Sequence, residues 1–162
     1  MAAFESRRDL GDPLGRYVES LEGGSVLNGE RIAQTHIAAQ CIRCHRTSSE
    51  EESRIGPNLS QLKNLESTYL LRALVTPNAD IAEGYGFVNV ILKDGTSFAG
   101  NLGKEKEGNV GIYLPNGSEK LIPINDIESM TKPMSSMPPM GGILSKRELR
   151  DLVAYLQSLE DD

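Results

Sequence analysis

The spacing of apolar and polar residues changes twice along this chain. A helical period predicts helices near residues 7–22, 26–39, 67–75 and 145–159. Residues 85–130 instead alternate between apolar and polar positions with a period of two, which predicts strands. The pattern therefore predicts helices at both ends of the chain with strands between them.

The last helix carries the clearest signal. Ser145 and Glu148 are spaced as a capping box, in which each side chain satisfies an amide of the first helical turn. One face of the helix is then apolar, with Leu149, Leu152, Val153, Leu156 and Leu159 at helical spacing. This pattern predicts an amphipathic helix that is buried on one side.

Turn signals divide the alternating stretch into short strands. Turns at Lys93–Thr96 and Pro115–Ser118 separate apolar runs, and residues 125–128 are predicted to form a short helical turn. About four antiparallel strands are expected, in a small barrel or curled sheet. The next stretch, residues 130–142, holds three prolines, two glycines and four methionines, and is predicted to be irregular.

Composition argues against nucleic-acid binding and against a membrane span. The chain has 162 residues, a net charge of −6 and no run rich in lysine or arginine, so nucleic acid is a poor fit. No stretch approaches the ~20 apolar residues of a membrane span. The first residues also lack the apolar core of a signal peptide.

The candidate chemistry lies in Cys41-Ile42-Arg43-Cys44-His45. Two cysteines three positions apart, followed directly by histidine, is the spacing that attaches a c-type haem. Each thiol adds across one vinyl group of the haem, and the adjacent imidazole becomes the proximal iron ligand. The motif predicts one covalent haem c held by Cys41 and Cys44, with His45 on the iron. Because bacterial haem c is attached outside the cytoplasmic membrane, we expect a periplasmic protein whose leader has been removed or lies in a longer chain upstream.

Three other interpretations compete with haem. A thioredoxin-like pair would use the same cysteines, but in a βαβ setting. Zinc needs about four well-spaced ligands, and the chain offers only Cys41, Cys44, His45 and His36. The third is a chance pair of buried thiols. We interpret His36 as a partly exposed helix residue rather than a ligand.

The methionine-rich stretch predicts the second axial ligand. A thioether is a soft, neutral donor that favours ferrous iron. We choose Met137, because Pro138 stiffens the loop just beyond its sulfur, and keep Met140 and Met134 as alternatives. Methionine is more often core filler than ligand, but an irregular loop needs an anchor to stay ordered.

These residues resemble the class I c-type cytochromes. The resemblance is carried by the haem motif, by Gly56-Pro57-Asn58-Leu59 and by Met137-Pro138-Pro139-Met140-Gly141-Gly142 before the last helix. It implies that the carbonyl of Pro57 accepts a hydrogen bond from His45. It also implies that the first and last helices of that fold cross closely, near Gly29 and Tyr155.

A closer resemblance covers nearly the whole chain. The ordered set is similar to the planctomycete-type haem-binding domain at the C-terminal end of large periplasmic sugar-dehydrogenase-like proteins. It consists of Gly11-Asp12-Pro13-Leu14, Ser20-Leu21-Glu22-Gly23-Gly24, Val75-Thr76-Pro77-Asn78, Leu92-Lys93-Asp94-Gly95 and Lys146-Arg147-Glu148-Leu149-Arg150-Asp151-Leu152-Val153.

The expected fold is mainly α, a class I cytochrome c fold with an inserted small antiparallel β subdomain. Residues 1–24 would be an N-terminal extension with a short helix, residues 25–84 and 131–162 the haem domain, and residues 85–130 the insert. The insert could be a docking surface, a lid over the haem or a spacer.

The expected function is electron transfer without catalysis. A fused or docked periplasmic dehydrogenase would donate single electrons, and another periplasmic carrier would accept them. The acidic net charge favours a partner with a basic docking patch. The alternative is a haem-based sensor of small ligands, in which the distal methionine dissociates. A peroxidase-like enzyme ranks last, because no further histidine lies near the methionine loop.

Overall fold

The structure is a computed structural model that describes residues 11–48, 55–62 and 65–159. These ranges contain three α-helices and one six-stranded sheet. The helices are α1 (Val26–Thr35), α2 (Ser67–Val75) and α3 (Lys146–Ser158). The strands are β1 (Gly86–Leu92), β2 (Ser97–Lys106), β3 (Asn109–Tyr113), β4 (Glu119–Pro123), β5 (Ile127–Met130) and β6 (Met134–Ser135).

Helices α1 and α3 cross at very short range. A Cβ added to Gly29 in α1 would lie 2.6 Å from the Cβ of Tyr155, and closer still to the carbonyl oxygen of Asp151. The Ser25 amide, just before α1, donates to the buried Asp151 carboxylate at 2.9 Å. Glycine at position 29 therefore lets the two helix backbones touch, and a side chain of α3 holds the start of α1 in place.

The helices share one hydrophobic core. It is built around α3, whose inward face meets α2, the end of α1 and the residues before α3. Its buried members are Leu14, Ile32, Ala33, Leu59, Leu70, Leu71, Leu74, Val75, Met140, Leu144, Leu149, Leu152, Val153, Tyr155 and Leu156. We call this set the helical core.

The sheet has a separate core. All its strands are antiparallel, in the order β4-β3-β2-β1-β5, and β6 also pairs with β1. The alternation of β-branched residues places Val88, Val90, Val110, Ile112 and Ile122 on one buried face. The 3-10 turn Ile124–Asp126 joins β4 to β5 and is hydrogen-bonded to two hairpin turns. The amide of Ile124 donates to the carbonyl of Gly108 at 3.0 Å, and the amide of Lys93 donates to the carbonyl of Asp126 at 2.9 Å.

The prediction of a mainly α, class I cytochrome c fold with a small β subdomain is wrong. The six strands occupy about as many described residues as the three α-helices, and they bury a core of their own. Helical spacing predicted too much helix, because residues 13–20 form two short 3-10 helices and the helix predicted over residues 26–39 ends at Thr35. The described chain is an α+β protein.

Two local predictions also needed correction. The predicted first helix contains two short 3-10 helices, Pro13–Arg16 and Val18–Ser20, because Pro13 and Gly15 interrupt the helical pattern. The part of that prediction at residues 7–10 lies outside the described residues, as do residues 49–54 of the predicted polar loop. Strand β6 also lies inside the stretch that was predicted to be irregular.

The predicted division into 1–24, 25–84 with 131–162, and 85–130 stays a prediction. In the described ranges, no helix is both long enough and apolar enough to span a bilayer.

Candidate functional site

The cysteine motif begins in a tight turn after α1. Gln40 takes a left-handed conformation (φ 46°), and Cys41–Arg43 then forms one turn of 3-10 helix. The amide of His45 donates to the carbonyl of Cys41 at 2.9 Å, which closes the motif on itself. Because side chains three apart in a 3-10 turn lie on one side, the two thiols share a face. The two cysteines are not joined by a disulfide, and both are half-buried.

The His45 imidazole is held in one orientation. Its Nδ1 lies 2.7 Å from the carbonyl oxygen of Pro57, and since a carbonyl only accepts, Nδ1 carries the proton. Burial lowers the pKa of His45, against the opposing effect of the Pro57 hydrogen bond. The imidazole is therefore neutral at physiological pH, with the lone pair of Nε2 available, which is the form that binds a metal.

Because Gly56 has no side chain, there is space beside it for the His45 imidazole. A Cβ added there would lie 2.8 Å from Cε1 of His45, 3.0 Å from its Nδ1 and 3.1 Å from the carbonyl oxygen of Cys44. These distances are shorter than ordinary van der Waals contacts. From the sequence, Gly56 was identified only as part of the motif Gly56-Pro57-Asn58-Leu59. The signal that was missed is a glycine directly before the proline that accepts the hydrogen bond.

Asn58 ties this turn to the segment after the motif. The side chain of Asn58 is buried. Its Nδ2 donates to the backbone carbonyl of Ser48 at 2.6 Å, and its Oδ1 accepts from the backbone amide of Ser60 at 3.0 Å. Nearby, Leu59 donates its amide to the carbonyl of Arg46 at 2.7 Å. Asn58 is thus a structural anchor of the site that residue patterns alone did not reveal.

The thiol environment counts against the two competing uses of the cysteines. Burial raises the pKa of Cys41, so this thiol stays protonated at neutral pH, whereas redox-active cysteine pairs use a thiolate of lowered pKa. No βαβ unit surrounds the motif in the described chain. Nor do three His, Cys, Asp or Glu side chains group as a metal site in that part of the chain.

The three candidate methionines occupy three different environments. Met140 is 3% exposed and belongs to the helical core. Met134 is 60% exposed on β6. Met137 is half-buried and packs against the helical core from outside, while its amide donates to the Ser135 hydroxyl at 3.1 Å.

His36 has a structural use at the end of α1. Its Nδ1 accepts the amide hydrogen of Ala39 at 3.0 Å, and its Nε2 lies 3.7 Å from a carboxylate oxygen of Glu148. The side chain is partly exposed, as the sequence analysis expected. It therefore stabilises the turn that leads from α1 to Cys41.

In a comparison with protein-family models, residues 28–160 match the model described as cytochrome c. The matched range includes the cysteine motif, the His45–Pro57 pair, the whole sheet and the methionine-rich loop.

Proposed function

The chain belongs to the cytochrome c family, and from this premise we propose that it is a monohaem electron-transfer module with His45 and Met137 as axial ligands. Members of the family bind haem c covalently, and here Cys41 and Cys44 are the two attachment points. The bound haem supplies an iron that gains or loses one electron. Electron transfer with redox protein partners is therefore the general function of this chain.

The observation that carries the proposal is the hydrogen bond from His45 to Pro57. It fixes the protonated nitrogen as Nδ1 and leaves Nε2 for the iron. It also makes the imidazole a stronger electron donor, because the carbonyl oxygen draws on the Nδ1 proton. This bond and the space left by Gly56 both favour His45 as the proximal ligand.

The surface near the motif suits an apolar group. Ile37, Ile42 and Ile55 are 87%, 44% and 57% exposed, which is unusual for isoleucine. All three are close in sequence to the cysteines or to Pro57. A porphyrin attached at Cys41 and Cys44 brings an apolar ring to this part of the molecule, so these residues fit the cofactor.

The environments of the methionines support Met137 as the distal ligand. Met140 already packs inside the helical core, and to use its sulfur elsewhere would leave a cavity. Met134 is bound into the sheet through its pairing with Phe87. Met137 lies between them on an irregular segment, partly exposed, with its sulfur not committed to the core interior.

Firm loop anchoring favours electron transfer over ligand sensing. The amide of Ser135 donates to Oδ1 of Asn78, just after α2, at 2.8 Å, and the Ser135 hydroxyl accepts the amide hydrogen of Met137. A sensor needs its distal methionine to leave the iron easily. A loop bonded to a neighbouring element resists that movement.

We further propose a planctomycete-type domain that works in the periplasm, with a fused or docked dehydrogenase as electron donor and a second periplasmic carrier as acceptor. The ordered motifs around the cysteines and the sheet between α2 and the methionine loop support this assignment. The net charge of −6 supports a partner with a basic docking patch. Reduction by such a partner should slow as ionic strength rises; rates indifferent to salt would remove the charge argument.

The proposed function is tested on holoprotein from a periplasm that matures c-type haem. Oxidised wild-type protein should show the weak long-wavelength sulfur-to-iron band, and ferrous protein should bind CO slowly. Met137→Ala should lose the band and bind CO fast, whereas Met134→Ala should match wild type. Fast CO binding by wild-type protein, with no sulfur-to-iron band, would instead support the sensor.

A further inference from the structure

The segment before α1 packs against the helical core and contacts the end of the methionine loop. It consists of the 3-10 helices Pro13–Arg16 and Val18–Ser20, and it precedes the residues that match the cytochrome c model. Leu14 is part of the helical core, and the fully buried Ser20 hydroxyl donates to the carbonyl of Lys146 at 2.8 Å. The segment is therefore an integral part of the fold and not a loose extension.

Tyr17, between these two turns, contacts the methionine loop itself. Its hydroxyl donates to the carbonyl oxygen of Gly141 at 3.3 Å, across 124 positions of sequence. The ring also lies against the Cα of Gly141, since a Cβ there would be 2.7 Å from Cζ of Tyr17 and 3.3 Å from Cε1. A hydrogen bond and a close-packed surface thus fix the same residue.

The loop is short and stiff between this contact and the proposed ligand. Only Pro138, Pro139 and Met140 separate Met137 from Gly141, and each proline fixes its own φ. On the far side, Met137 is bonded to Ser135. A displacement of Gly141 therefore reaches Met137 with few backbone torsions available to absorb it.

We propose that Tyr17 is a positioning residue that holds the methionine loop in place, so that Met137 could ligate the haem iron. The inference rests on the proposed function, because it requires Met137 as the distal ligand. Loss of the Tyr17 hydroxyl should raise the fraction of molecules in which the sulfur has left the iron. The expected factor is about fivefold, the effect of one ordinary hydrogen bond.

The test is a titration of oxidised holoprotein with imidazole, which competes with the sulfur for the distal position. The apparent affinity for imidazole rises in proportion to the sulfur-free fraction. Tyr17→Phe keeps the ring and removes only the hydroxyl, and it should bind imidazole about fivefold more tightly than wild type. Gly141→Ala pushes the loop away from Tyr17 and should shift the affinity in the same direction.

Ser20→Ala is the matched control. It removes a buried hydrogen bond from the same segment, but one that ends on Lys146 and not on the loop. It should lower the urea midpoint while leaving imidazole affinity within about twofold of wild type. Wild-type affinity in Tyr17→Phe, or an equal increase in Ser20→Ala, would overturn the positioning role.

The Met137→Ala variant separates this inference from the proposed function. It should bind imidazole more tightly than every other variant, because no sulfur competes. If it binds imidazole no more tightly than wild type, Met137 is not the ligand, and both proposals fail together. If it binds tightly and Tyr17→Phe does not, only the role of Tyr17 fails.

Discussion

Substitution of Gly29 by alanine should separate the two helices that frame the haem motif. Helix α1 leads into Cys41, and α3 follows the methionine loop, so their crossing holds the two ligand-bearing stretches together. The added methyl would lie 2.6 Å from the Cβ of Tyr155 and closer to the Asp151 carbonyl oxygen. Neither obstacle is the movable end of a side chain, so the helix axes must shift.

The change in unfolding free energy of Gly29→Ala follows from two opposing effects. Forcing an extra carbon into a close-packed contact costs about 1 to 3 kcal/mol, and the upper end applies where backbone atoms must move. Replacing a helical glycine by alanine returns about 1 kcal/mol through helix propensity. The Gly29→Ala variant should therefore lose about 2 kcal/mol of unfolding free energy.

Urea unfolding of the holoprotein, followed by circular dichroism at a helical wavelength, measures this loss. Gln34→Ala is the control, because Gln34 lies on the exposed face of the same helix. It should change the unfolding free energy by no more than about 0.5 kcal/mol. If Gly29→Ala is more stable than wild type by about 1 kcal/mol, as expected for an exposed helical glycine, the close crossing is refuted.

Three further predictions concern the site and its supports. Gly56→Ala should displace the His45 ring, weaken its bond to Pro57 and raise the reduction potential by about 40 mV, the equivalent of about one hydrogen bond; an unchanged potential in spectroelectrochemical titration would contradict the role of Gly56. Asn58→Ala should cost about 2 to 3 kcal/mol in urea unfolding, because it leaves the buried Ser60 amide and the half-buried Ser48 carbonyl without this partner; a loss under about 0.5 kcal/mol would argue against Asn58 as an anchor. Hydrogen bonds from the hydroxyl and amide of Ser145 lower the pKa of Glu148, so protonation of this carboxylate favours unfolding. Its contribution is complete above about pH 4.3 and is lost as pH falls through the lower folded pKa, so wild type should lose more stability in acid than Glu148→Gln; equal losses would contradict this linkage.

Local patterns predicted the elements that their own residues determine. Helix α2 begins and ends where its apolar period does, and the capping box of α3 is formed by Ser145 and Glu148 as expected. The four strands β1 to β4 lie where alternation and turns indicated them. In each case the signal comes from residues within about ten positions of each other.

Elements that depend on distant partners were missed. Strand β6 has only two residues, Met134 and Ser135, and exists because β1 offers a free edge beside it. Strand β5 overlaps residues 125–128, which were predicted to form a helical turn, because its few residues show no clear alternation. These short strands, together with the ten residues of β2, made the sheet larger than expected and the mainly α prediction wrong.

In the candidate site too, features set by neighbouring residues were predicted, and features set by distant contacts were missed. The spacing of Cys41, Cys44 and His45 is local, and the cytochrome c match agrees with the cofactor that it predicted. The contact between Tyr17 and Gly141 joins residues 124 positions apart, and no periodicity marks either partner. The choice of Met137 over its neighbours also depends on burial, which a loop rich in proline does not encode.

The most direct test of His45 and Met137 ligation is NMR of the reduced holoprotein with ¹³C-labelled methionine methyl groups. The chain has five methionines, and the porphyrin ring current shifts a methyl group held against the iron far upfield. We expect one such signal, absent from Met137→Ala and present in Met140→Ala and Met134→Ala. An upfield signal that disappears only in Met140→Ala, or no upfield methionine signal in wild type, would contradict it.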